Sequence, residues 1–84
     1  MIAFAHAPQF GEPLHPGTWG RGAPAWQARH PGDICVVTCT NGHQTRLVSA
    51  IHSVAADGTV SPSYVCVADG CSFHEFVRLE GWPG

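Results

Sequence analysis

Two short stretches, CTNGH at residues 39–43 and CVADGC at residues 66–71, set the tightest limit on what this chain can fold into. Each opens on a cysteine, closes on a second metal-type donor, and holds an Asn-Gly or Asp-Gly pair between them. Those dipeptides are turn chemistry, because glycine reaches backbone angles closed to other residues. A chain of 84 residues has little core to rely on, and domains below roughly 70–80 residues usually need a metal, disulfides or a partner. The two donor-bearing turns are the obvious staple.

Metal is the preferred staple. No run of about 18 apolar residues exists to cross a membrane. The opening MIAFAHA has no basic n-region, and its short apolar run is broken by His6. The chain is therefore expected to be made in the cytoplasm, where closely spaced cysteines hold metal more often than they form disulfides.

Spacing selects the ligands. If CVVTC is extended, Cys35 and Cys39 stand about 13 Å apart at roughly 3.3 Å per residue. Two sulfurs, each about 2.3 Å from one zinc, can be only about 4 Å apart. The preferred set is Cys39, His43, Cys66 and Cys71, a closed tetrahedral arrangement suited to structural zinc. Cys35 then becomes a buried strand residue. His74, three residues after Cys71, is the main rival for the place of His43, and Cys35 is the other alternative ligand. His52 reads as a structural histidine in mid-strand.

Around these turns, residues 34–84 read as a small all-β domain of antiparallel hairpins. ICVVT (34–38), QTRLVSAIHSV (44–54), VSPSYVCV (60–67) and SFHEFVRLEGW (72–82) are strand-like. Asp-Gly at 57–58 predicts a two-residue hairpin. Pro62 argues for an edge or a bulge, since proline has no N–H for a ladder. Leu47 and Ile51 are expected on one face, as are Phe73, Val77 and Leu79.

Residues 1–33 read differently. They hold five prolines and five glycines and follow no apolar period, which predicts an extended, irregular arm. Its aromatics, Phe4, Phe10, Trp19 and Trp26, are the residue types that anchor interfaces.

On CTNGH, Asp57-Gly58 and CVADGC the chain resembles the zinc-ribbon group over about residues 34–82. Both of its spacings are longer than the usual Cys-x-x-Cys knuckle, and one ligand is a histidine. The tail CSFHEFVRLEGW is also similar to small zinc-ribbon proteins of tailed phages. These resemblances imply a zinc-held head and, from the second, a place in a virion.

Charge narrows the function classes. Four arginines face six acids and there is no lysine. Phosphate-binding modules usually carry a basic patch, so nucleic acid is not the expected partner. There is no paired-carboxylate pattern or phosphate-cradling loop, and four protein ligands leave a metal no open position. The expected role is therefore structural rather than enzymatic: a zinc-stabilised head whose arm docks on a larger assembly, for example as a cement or minor structural protein of a capsid or tail. The competing expectation is a zinc-ribbon adaptor in transcription or nucleic-acid processing.

Overall fold

The computed structural model describes residues 1–7, 15–21, 24–66 and 68–83. Its main body is a five-stranded sheet in the order β4-β3-β2-β1-β9. The strands are β1 (Ile2–His6), β2 (Thr18–Gly20), β3 (Asp33–Thr38), β4 (Gln44–Val48) and β9 (Val77–Leu79). Two small ladders complete it, β5 (Ser53–Val54) with β6 (Val60–Ser61) and β7 (Tyr64–Val65) with β8 (His74–Glu75). A six-residue helix, α1 (Pro24–Arg29), precedes β3.

The first finding corrects the expectation of an extended N-terminal arm. Strand β1 lies inside the sheet, parallel to β2 on one side and to β9 on the other. Its backbone is satisfied along both edges. The Ile2 N–H donates to the Phe76 carbonyl (2.9 Å), Ala5 to Gly17 (3.0 Å) and Ala7 to Trp19 (2.8 Å), while Glu80 donates to Phe4 (2.9 Å). The alternation of IAFAH explains the placement: Phe4 faces the core at 0% exposure, while Ala3 and Ala5 face outward. Trp19, also 0% exposed, enters the same core from β2. Its indole N–H donates to the Glu80 carbonyl at 2.8 Å, so its one polar atom is satisfied inside the fold. Phe4 and Trp19, expected to reach a partner, are thus core residues.

The β3–β4 hairpin follows the expected boundaries closely, but the long strand expected over 44–54 stops at Val48. There the Val48 carbonyl accepts from both Ile51 (3.1 Å) and His52 (2.9 Å), and the chain turns. Leu47 is buried, whereas Ile51 sits in the turn and is 65% exposed. The third strand also divides, into β6 and β7 on either side of Pro62, whose peptide bond is cis. Phe73, Val77 and Leu79 all face the core, as expected.

Five residues, Ala55 to Thr59, connect β5 to β6, and the Ala55–Thr59 pair closes a loop of three residues rather than the expected two. The Gly58 N–H donates to the Ala55 carbonyl and the Ala55 N–H to Thr59, both at 2.9 Å. Gly58 has φ 92°, and the Asp57 carboxylate accepts from the Thr59 N–H at 2.9 Å. This tip docks on β9, where the Leu79 N–H donates to the Gly58 carbonyl at 2.8 Å.

Helix α1 is fastened to the sheet by one cluster. The Trp26 indole N–H donates to Asp33 (3.1 Å), Arg46 pairs with the same carboxylate (3.4 Å), and His30 stacks on Trp26 at 4.0 Å. Trp26 is therefore half-buried against its own chain rather than free. Phe10, the remaining aromatic expected to bind a partner, lies outside the described residues.

A Cβ at Gly58 would fall on the Leu79 backbone carbonyl oxygen, and its positive φ already disfavours any side chain. Gly17, at φ 75°, has open space around it. Gly58→Ala is expected to cost at least about 2 kcal/mol, from the left-handed conformation and the displaced hydrogen bond. Gly17→Ala should cost only about 1 kcal/mol, from conformation alone. Urea denaturation of the two variants measures the difference.

Candidate metal centre

The two donor-bearing turns sit at the ends of two different hairpins. Between β3 and β4, the Gly42 N–H donates to the Cys39 carbonyl and the Cys39 N–H to the His43 carbonyl, both at 2.9 Å. Gly42 has φ 87°, a left-handed conformation that closes the Thr-Asn-Gly loop without a steric penalty. Cys39 and His43 are held opposite each other, so their side chains leave the hairpin on the same side. Between β7 and β8, the Cys66 N–H donates to Phe73 and the Cys71 N–H to Ala68, both at 3.0 Å. Gly70, at φ 76°, makes this second turn possible.

The ligand atoms of Cys39, His43, Cys66 and Cys71 all lie within 4.8 Å of one another. Cys39 Sγ is 3.8 Å from Cys71 Sγ and 3.6 Å from His43 Nδ1. A tetrahedral ion with sulfur at about 2.3 Å and nitrogen at about 2.0–2.1 Å requires edges of about 3.8 Å and about 3.5 Å. The two separations match that geometry. A disulfide needs about 2.05 Å, and all four cysteines are free thiols. This donor set fits a metal ion held by three sulfurs and one imidazole.

The electrostatics differ across the cluster. Cys71, at the rim, has its thiol lowered to about 6, first by the Asn41 side chain and then by the Phe73 backbone N–H. The Asn41 amide donates to Cys71 Sγ at 3.5 Å. Burial pushes the Cys66 thiol up. A cation is what allows such neighbouring sulfurs to be anionic together.

The alternative ligands lie elsewhere. His74 is exposed on β8, with Nε2 2.8 Å from Ser63 Oγ. Cys35 is buried on β3 opposite Leu47, and burial raises its thiol to about 12 against a smaller pull from Arg21. His52 Nε2 lies 3.4 Å from the Ser63 carbonyl oxygen, away from the cluster.

Two neighbours of the site escaped sequence reasoning. Asn41 reads there only as a turn former, although an amide between two ligands is also a donor to sulfur. Tyr64 lies two residues before Cys66 on a strand, which puts both side chains on one face. Neither a protein-family model, a curated protein nor a solved structure matches this chain.

Substitutions should separate the ligands from their rivals. Cys39→Ser and His43→Gln are expected to lose stoichiometric metal, whereas Cys35→Ser and His74→Gln retain it. Metal content of the purified variants, measured by elemental analysis, checks this; retention by His43→Gln together with loss by His74→Gln would reverse the assignment.

Proposed function

We propose that this chain is a non-catalytic structural module of the zinc-ribbon type, in which one zinc ion joins the tips of two hairpins, and that it serves within a larger protein assembly. The observation that carries the reading is the four-donor cluster, all within 4.8 Å, with the two separations from Cys39 Sγ matching a tetrahedral ion. Three thiolates and an imidazole, with no carboxylate among them, favour zinc over hard cations such as calcium or magnesium. With all four positions taken by protein, the ion has none left for substrate or an activated water. Its work is then mechanical: it holds the β7–β8 ladder to the five-stranded sheet.

The surface supports the assembly part of the reading. Phe76 is 59% exposed, Val65 48% and Met1 73%. They stand on neighbouring stretches of backbone, since the Phe76 carbonyl accepts from Ile2 and Val65 pairs with His74, two residues before Phe76. Exposed large apolar side chains gathered in this way mark contact surfaces. Incorporation into a virion is the narrowest form of the proposal and rests on the resemblance of the C-terminal segment alone. The adaptor reading has less support. Arg46 is paired with Asp33 and Arg21 lies over the Trp82 ring at 4.5 Å, so neither is an uncommitted charge for phosphate.

Native mass spectrometry of the full chain tests the zinc. One zinc per chain is expected, released as the pH falls because protons compete for the thiolates and the imidazole. Structural zinc contributes an apparent 10–16 kcal/mol or so, comparable with the roughly 5–15 kcal/mol stability of a whole domain. Chelation should therefore unfold the protein, and added zinc should restore it. A metal-free protein, lighter by the hydrogens of two disulfides, would sink the reading.

A further inference from the structure

Tyr64 is 1% exposed, and among the described residues its hydroxyl is the one buried side-chain oxygen or nitrogen without a hydrogen bond. Buried hydroxyls are nearly always satisfied, so an orphan calls for a missing partner. The ring cannot swing away to find one. It is held edge-on by Phe4 at 6.4 Å and packed against Phe73 at 5.7 Å. Strand β7 leads directly into Cys66, and Tyr64 and Cys66 are both buried while Val65 between them is 48% exposed, so the tyrosine and the ligand share the inner face.

We propose that the Tyr64 hydroxyl is a hydrogen-bond donor to the Cys66 thiolate of the metal-loaded centre, a positioning residue outside the set of four ligands. This rests on the metal-binding reading above. A neutral thiol is a weak acceptor, whereas a metal-bound thiolate is a strong one. A metal-bound Cys66 thiolate would be the strong acceptor that the Tyr64 hydroxyl otherwise lacks. The demand for such a donor is also set by charge. Three thiolates around a divalent ion leave a net negative centre, and a buried anion needs hydrogen bonds. On the rim, Cys71 receives one from Asn41. Tyr64 supplies the interior counterpart.

The test compares wild type with Tyr64→Phe, which keeps the ring and removes only the hydroxyl. Zn(II) affinity is read by competition with a chromophoric chelator, and the sulfur-to-metal charge-transfer band by loading Co(II). The variant is expected to bind zinc roughly 10–100-fold more weakly, as loss of an outer hydrogen-bonding partner does, with a shifted Co(II) band. At saturating zinc the variant should show the circular dichroism of wild type, so that the loss is one of affinity and not of fold. As the chain has a single tyrosine, a coupling between its hydroxyl proton and ¹¹³Cd in the cadmium-loaded wild type would report the O–H to sulfur bond without any substitution. Zinc affinity within twofold of wild type and an unshifted band would overturn the proposal while leaving the metal site standing. Failure of wild type itself to bind zinc or cobalt would overturn both.

Discussion

Three sulfurs and an imidazole within 4.8 Å of one another form an arrangement that cannot be stable as a set of anions. Like charges so close repel by several kcal/mol in a partly buried setting, so either protons or a cation must neutralise them. The rest of the fold depends on that choice. Strands β7 and β8 have two residues each, too few for a ladder to stand alone in water. They are held at one end by Cys66 and Cys71 and behind by the packing of Tyr64 and Phe73 on Phe4. The cluster and the aromatic trio are thus two halves of one fastening, and Tyr64 belongs to both.

The other half of the molecule is organised around Trp19. It takes Val37 and His6 as register partners on either side, stacks His6 at 4.1 Å and meets Trp82 at 5.3 Å. Burial of a side chain of this size, with its N–H satisfied, stabilises by some 2–3 kcal/mol. A chain with little core gains much from one such residue. Phe4 and Trp19, read from sequence as anchors for a neighbour, instead supply the interior that a fifty-residue ribbon would lack.

What the sequence disclosed and what it withheld follow a physical line. The two turns were legible because Asn-Gly and Asp-Gly act locally, and the donors lie on their flanks. The cluster of Cys39, His43, Cys66 and Cys71 and the rejection of Cys35 follow from spacing and backbone chemistry alone; Pro62 was expected to mark an edge or a bulge, and the strand divides there instead. Strand β1 was not legible. IAFAH carries a single large core side chain, and its pairing partners, Thr18–Trp19 and Val77–Leu79, are remote in the chain. Strand β2 has three residues, below what any period can reveal. Residues 44–54 misled in the opposite sense: their composition suits a strand throughout, yet the Val48 carbonyl takes two turn hydrogen bonds and ends it. The Tyr64 hydroxyl could not have been noticed without knowing that nothing else reaches it.

The parallel pairing of β1 with β9 sets an order of assembly during synthesis. Ile2 meets Val77 and Phe4 meets Leu79, so β1 is made well before the strand it pairs with. Both cysteine turns lie between the two strands in the chain. Until β9 arrives, β1 and its Phe4 lack one of their two neighbouring strands. Contacts this distant make closure slow relative to local hairpins. An ion held at the two turns would shorten the search by removing the long loop between them from the freedom that the chain must give up.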